Sequence, residues 1–288
     1  MKLAFCFLSY DDIEQHVAWN SFFRDVSSEK FTVVVHMKNH ADTSIITGSR
    51  VIPTMPTEWG GFSLVKVQQA LMEEACKDES VTKCILLSGD SIPLHPFDVI
   101  YNKLCSDDKG YIHINEKNDG RDRIAHVNRK AWPRNRPWIW AKASQWCILN
   151  RSHVKLLSEQ FDMLTKVFLK SEVPDEHLYP IFFISINAIH TFHNSITMYV
   201  NWLRNINVCR ILHHSSPVAY HTINFNAKNI DDIYASGALF MRKICQTSKI
   251  KMDWTADRPL QIVSHVDTQF TLPYKRNIFK RNFFNVRV

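Results

Sequence analysis

Cys84 to Leu87 form an uninterrupted apolar run, and Ser88-Gly89-Asp90-Ser91 ends it with small and polar residues. An apolar run without alternation is the pattern of a strand buried on both faces, which occurs in α/β sheets covered by helices. Open sheets of that kind place ligands in the crevice beyond the carboxyl ends of their strands. Ser88, Gly89 and Asp90 fall at such an end. Pro93 and Pro96 then turn the chain away before a helix expected over Phe97 to Leu104, which leaves Asp90 on a short, constrained loop. An acid there either contacts a ligand or caps its own turn.

The flanking sequence supports an α/β sheet. Lys2 to Leu8 reads as a strand, Asp11 as the cap of a helix running to about Arg24, and Phe31 to His36 as a Val-rich strand. The apolar face of that helix is read as Ile13, Val17, Trp19 or Asn20, and Phe23. Two such strands joined by one helix pair in parallel, the usual start of a nucleotide-binding sheet. Ser63 is expected to cap a helix from Leu64 to Cys76. Just before it, Glu58-Trp59-Gly60-Gly61 either makes a simple turn or brings backbone close to a ligand. Gly110 to Ile114 reads as a strand. Ala143 to Leu149, beginning Ser144-Gln145-Trp146, reads as another, leading into a helix from Ser152 to Lys170. Pro174 at a first helical position, followed by Asp175 and Glu176, is a helix N-terminus. The apolar residues after it put both acids at the edge of the core, in a cleft. Thr197 to Trp202 reads as a strand, and Arg242 and Lys243 directly follow the short apolar strand ending at Met241.

Asn115 to Trp140 is too long for an ordinary connection and reads as a lid or substrate wall. Its tryptophans, Trp132, Trp138 and Trp140, either stack on sugar faces or pin the loop to the core. Arg121, Arg123, Arg129, Lys130, Arg134 and Arg136 make this the most basic segment.

The net charge of +7 favours an anionic ligand. A nucleic-acid partner is not expected, because zinc-finger spacing and a basic helix are both missing, and aromatic and basic residues alternate only in the last dozen positions. No apolar run approaches the roughly 20 residues of a membrane span, and the N-terminus reads as a strand, not a signal peptide. The seven cysteines are odd in number and form no C-x-x-C pair, the pattern of free thiols in a reducing compartment. Adjacent His213 and His214 read as a loop, since neighbours on a regular element do not readily face one metal.

Six blocks, in this order, resemble the core-2/I-branching glycosyltransferases, family 14, and most closely its plant branch. They are Glu58-Trp59-Gly60-Gly61-Phe62-Ser63-Leu64, Leu86-Leu87-Ser88-Gly89-Asp90-Ser91-Ile92-Pro93-Leu94, Lys142-Ala143-Ser144-Gln145-Trp146, Pro174-Asp175-Glu176-His177, Thr197-Met198-Tyr199-Val200-Asn201-Trp202 and Leu239-Phe240-Met241-Arg242-Lys243. The resemblance implies a GT-A fold, a Rossmann-like mixed sheet flanked by helices. It also implies transfer of a sugar, xylose or N-acetylglucosamine, from a UDP-sugar to a hydroxyl of a glycan or glycoconjugate. The reaction inverts the anomeric carbon and gives a β linkage. Members work without a metal-binding D-x-D motif, and here no strand ends in one; Asp119-Gly120-Arg121-Asp122 has the wrong spacing. No cofactor or metal is therefore expected.

By the same resemblance Glu176 is the base that takes the acceptor proton, and Arg242 and Lys243 meet the charge on the leaving diphosphate. Asp90, with Ser88 and Gly89, lies beside the donor sugar. Ser144, Gln145, Trp146 and Trp59 wall the donor and acceptor, and Asp175 supports the base. One catalytic domain is expected over 1–288: a nucleotide-sugar-binding half (1–115), an acceptor and catalytic half (116–250) and a C-terminal extension (251–288). The membrane anchor and disulfide-bearing domain of animal relatives are not apparent, so the expectation is a soluble, cytoplasmic enzyme. The alternative is a non-catalytic carbohydrate-binding module on the same fold; a metal-dependent hydrolase lacks support from any H-E-x-x-H spacing.

Overall fold

The computed structural model describes residues 1–39, 46–115, 121–202, 220, 227–245 and 250–260. Cys209, His213, His214, Asp119, Gly120 and residues 261–288 of the expected extension lie outside them. In chain order the strands are β1 (Lys2–Ser9), β2 (Phe31–Met37), β3 (Arg50–Val51), β4 (Val81–Ser88), β5 (Ile92–Pro93), β6 (Gly110–Ile112), β7 (Ile148–Asn150), β8 (Phe192–Asn194), β9 (Met198–Val200) and β10 (Phe240–Arg242). The helices are α1 (His16–Phe23), α2 (Phe62–Cys76), α3 (Phe97–Leu104), α4 (Arg151–Phe168), α5 (Leu178–Ser185) and α6 (Ala227–Ala235).

Seven strands form one mixed sheet in the order β3-β2-β1-β4-β7-β6-β8. β1 pairs in parallel with β2 on one side and β4 on the other, while β7 runs antiparallel to both β4 and β6. The Rossmann-like mixed sheet flanked by helices is thus present. Because the chain goes from β1 to one side and then to the other, strand order reverses at β1, and a crevice opens between the carboxyl ends of β1 and β4. The register places Leu8 opposite Ser88 there. A second sheet, β5-β10-β9, covers this end.

The core behind the crevice is aromatic. Phe5 and Phe7 of β1, Trp19, Phe22 and Phe23 of α1, Phe97 of α3 and Phe240 of β10 are all buried. Phe7 meets Trp19 edge to face at 4.9 Å, the arrangement favoured by ring quadrupoles. Burying each such ring contributes about 1.5–3 kcal/mol. Trp19 also ties α1 to the site, since its Nε1 donates to the carbonyl of Ser91 at 2.8 Å.

Several local expectations are corrected. α1 begins at His16, and Asp11 does not cap it; Asp11 is exposed and accepts a hydrogen bond from Asn39 at 2.8 Å. The buried face of α1 is Ala18, Trp19, Phe22 and Phe23, with Val17 turned out at 69% exposure. Ser63 lies inside α2, whose first residue is Phe62; its hydroxyl reaches back to accept from the N–H of Glu58 at 2.9 Å. β7 starts only at Ile148, because an isolated bridge between Ile114 and Ala143 closes the long loop and leaves Ser144 to Trp146 irregular. The helix that follows is α4, capped by Asn150, whose side chain accepts from the N–H of His153. Pro174–Glu176 is a single turn of 3-10 helix ahead of α5.

The long loop also departs from one of its two readings. Trp138 stacks on Phe168 of α4 with centroids 5.9 Å apart, and Trp132 meets Trp138 edge to face at 4.9 Å. Trp140 lies 5.9 Å from the ring of buried His177. These rings pin the loop to the core.

Candidate active site

A cleft of about 1410 Å³ opens at the carboxyl ends of β1 and β4. All eleven residues singled out from sequence line it: Trp59, Ser88, Gly89, Asp90, Ser144, Gln145, Trp146, Asp175, Glu176, Arg242 and Lys243. Trp138 and Trp140 are not among its lining residues, whereas Trp59 and Trp202, 76% and 60% exposed, are.

Strand register explains how residues 152 positions apart, Asp90 and Arg242, meet. β10 runs antiparallel to β5 with Phe240 opposite Pro93 and Met241 opposite Ile92, so advancing along β10 moves back toward Asp90. The N–H of Ile244 then donates to the carbonyl of Asp90 at 3.0 Å. Arg242 Nε lies 3.0 Å from Ser88 Oγ and 3.1 Å from Asp90 Oδ1, and one Nη donates to Asp90 Oδ2 at 3.3 Å. Its guanidinium carbon is 4.8 Å from the centroid of Trp146, within cation–π range. Burial works against ionisation of Asp90, but Arg242 and Lys243 outweigh it and hold the carboxyl below its ordinary range. Asp90 therefore does more than cap its turn: it orients Arg242. Burial pushes the Lys243 ammonium below its usual range, with Asp90 and Glu14 acting in the opposite direction.

The other acid end is built on the Trp59-Gly60-Gly61 turn. Gly60 has φ of 70°, and its carbonyl accepts from the N–H of Val173 at 2.8 Å. Backbone approach does occur at this glycine, to another chain segment. Val173 itself sits at φ of 43°, in the left-handed region, which costs a β-branched residue about 1–2 kcal/mol. That bend presents the Pro174–Glu176 turn to the cleft, and the carbonyl of Glu176 accepts from Ala143 N–H at 2.8 Å.

The two acids of the turn differ sharply. Asp175 is 2% exposed, and burial, with the adjacent Glu176 charge, pushes its carboxyl up to about 7. The Glu176 side chain is 25% exposed, with Oε2 3.7 Å from Arg123 and 3.8 Å from Lys142. Of the two, Glu176 is the acid with side-chain surface open to the cleft, and two cations stand near its Oε2. Arg123, from the basic loop series, lines the cleft beside this carboxylate.

Glu14 was missed by sequence reasoning, as were Lys38 and Lys142. Glu14 falls inside the helix expected from Asp11 onward; its place in the cleft depends on α1 starting only at His16. Lys38 is held by donation to the carbonyl of Thr57 at 2.6 Å. Among the described residues no group of three or more His, Cys, Asp or Glu is arranged to hold a metal ion. Nor is any described helix long and apolar enough to cross a membrane.

The cleft thus holds two charged clusters, Asp90 with Arg242 and Lys243, and Glu176 with Arg123 and Lys142. Comparison with known proteins places the chain among relatives. The family model described as Core-2/I-Branching enzyme matches residues 3–233. A rice protein (Oryza sativa subsp. japonica) named Glycosyltransferase BC10 is 25% identical over 175 residues, covering 57% of this chain and 42% of that protein. The match therefore spans less than half the length of that curated relative. Among solved structures, ligand-free mouse xyloside xylosyltransferase 1 superposes with a TM-score of 0.38 at 10% identity, over 86% of this chain and 99% of the mouse chain.

Proposed function

This chain belongs to the Core-2/I-branching enzyme family, and we propose that it is an inverting, metal-independent glycosyltransferase. It moves xylose or N-acetylglucosamine from a UDP-sugar to a hydroxyl of a glycan or glycoconjugate. One observation carries the reading: a single cleft joins the Asp90–Arg242–Lys243 cluster to the reachable carboxylate of Glu176. In the reaction the acceptor oxygen attacks the anomeric carbon from the face opposite UDP. The new carbon–oxygen bond forms as the bond to the diphosphate breaks, and Glu176 takes the hydroxyl proton. Arg242 and Lys243 offset the charge that develops on the diphosphate. A guanidinium has five N–H donors. Its contacts to Ser88 and Asp90 engage Nε and one Nη, so the head retains donors for an oxyanion. Trp59, Ser144, Gln145 and Trp146 wall the sugars, and Asp175 supports the turn that carries the base.

Thermal denaturation with UDP, GDP, CMP, UDP-xylose, UDP-glucose and UDP-N-acetylglucosamine, each with manganese or chelator, tests this. A ligand at 100 times its Kd adds about 2.7 kcal/mol, a shift of a few degrees for a chain of this size. UDP and one UDP-sugar are expected to stabilise equally in chelator. No response to any nucleotide removes the donor site, and a response only with manganese removes the role given to Arg242 and Lys243.

A further inference from the structure

The donor end of the cleft contains a second carboxylate, on the segment between β1 and α1. The N–H of Glu14 donates to the carbonyl of Gly89 at 3.0 Å. Gly89 in turn lies so close to that segment that a Cβ on it would sit 2.0 Å from Ser9 Oγ and 3.3 Å from the carbonyl of Asp12. Ser9 Oγ closes the arrangement by donating to the same Asp12 carbonyl at 3.0 Å. The Ser9–Glu14 segment is therefore seated directly on the Ser88–Asp90 turn, and Glu14 lines the cleft beside Asp90 and Lys243.

The charged groups facing Glu14 come from three elements. Asp11 lies on its own segment, Asp90 on the turn after β4, and Arg242 and Lys243 at the end of β10. Asp90 is already paired with Arg242, which leaves Glu14 as the further counter-charge next to Lys243. A donor diphosphate diester brings two negative charges to the same place. With Glu14 ionised, it would meet two carboxylates around two cations. With Glu14 neutral, the balance favours the anion, and the acid O–H becomes a hydrogen-bond donor.

We propose that Glu14 is a proton-linked gate on donor binding: the UDP-sugar binds with Glu14 as the neutral acid, and each binding event takes up a proton from solvent that is returned when the nucleotide leaves. The proposal rests on reading the cleft as a UDP-sugar site. Burial and the Asp90 charge already push the Glu14 carboxyl up to about 7, with Asp11 adding to the rise and Lys243 and Arg242 opposing it. An arriving diphosphate pushes it further in the same direction.

The test is titration calorimetry of the full chain with UDP-xylose and UDP-N-acetylglucosamine, whose diphosphate diesters do not titrate near neutrality. Measurements at pH 8 in buffers of different ionisation enthalpy count the protons taken up. We expect uptake of about half to one proton, and affinity falling by up to about tenfold per pH unit above about pH 7. Glu14→Gln should abolish the uptake and flatten the profile, while Glu14→Asp, still titratable, should keep the uptake. Undiminished uptake in Glu14→Gln places the proton elsewhere, on Lys243 for instance, and overturns the gate. So does tight donor binding by the unaltered protein with no uptake. If neither sugar nucleotide binds at any pH, the donor site itself is refuted and the gate with it, an outcome distinct from binding without proton uptake.

Discussion

The guanidinium carbon of Arg242 stands 4.8 Å from the centre of the Trp146 ring. The ring supports one side of the cation while Asp90 and Ser88 fix its edge. An ammonium reproduces the charge but neither the planar fork nor the stacking. Arg242→Lys is therefore expected to weaken UDP binding roughly tenfold or more, equivalent to about 1.4 kcal/mol. Trp146→Leu should give an intermediate loss of about 0.5–1 kcal/mol. Calorimetry with UDP reads both, and full affinity in Arg242→Lys would show that charge alone suffices.

Glu176→Gln tests the base separately from binding. The substitution preserves size and removes the proton acceptor, so kcat should fall about 10²–10⁴-fold. The Kd for UDP should be unchanged, because the role proposed for Glu176 is to take the acceptor proton and not to hold the diphosphate. A variant that keeps full turnover would pass the proton to a different group.

Asp175 links the site to stability. Its carboxyl is raised from 3.8 to about 7 in the fold, so the folded chain holds a proton that the unfolded chain has lost across that interval. Where the folded state binds more protons, stability falls as pH rises. The penalty is absent below pH 4, grows between pH 4 and 7 and is complete above 7, reaching at most about 4 kcal/mol for three pKa units. Asp175→Asn should flatten this fall and raise Tm at pH 8 relative to the unaltered chain. Urea denaturation at pH 5 and pH 8 measures it; equal differences between the two proteins at both pH values would refute the linkage.

Gly89 is required for contact and not for an unusual φ. Its absent Cβ leaves the space that Ser9 Oγ and Cβ occupy, the latter at 2.8 Å from where a Cβ would stand. Gly89→Ala should cost about 1–3 kcal/mol through forced displacement. Ser9→Gly in the same chain should recover a large part of that loss. A double-mutant cycle in urea reads the coupling, and simple additivity would mean that the strands accommodate the methyl group some other way.

Much of this arrangement was legible because it follows from hydrophobicity and turn chemistry. The run at Cys84 to Leu87 marked β4, and the prolines that follow marked the start of α3, whose bounds Phe97–Leu104 are those expected. The site motifs pointed to residues that the fold gathers in one cleft. What escaped depends on tertiary partners. Asp11 has cap chemistry, but Asn39 occupies its carboxylate and α1 starts a turn later. Glu14 enters the cleft only because its backbone is bonded to Gly89, 75 positions away, a contact with no local signature.

Tryptophans show the same limit, and their roles can be separated experimentally. A tryptophan in a polar, basic loop satisfies equally well the pattern of a sugar platform and that of a core anchor. Trp138 resolves as an anchor, stacked on Phe168 and placed 5.1 Å under the cation of Arg129. Trp59 is 76% exposed on the cleft wall, where it covers little of the core. Trp138→Ala should therefore destabilise the chain by about 2 kcal/mol, below the 3–5 expected of a fully buried ring because this one is only partly covered. Its effect on acceptor KM should be slight in the fraction that remains folded. Trp59→Ala should do the reverse, changing stability by less than about 0.5 kcal/mol while raising acceptor KM several-fold, as the loss of about 1 kcal/mol of ring contact requires. Chemical denaturation and initial-rate kinetics on the two variants form the comparison. A large KM effect from Trp138→Ala with unchanged stability would restore the long loop as a substrate wall.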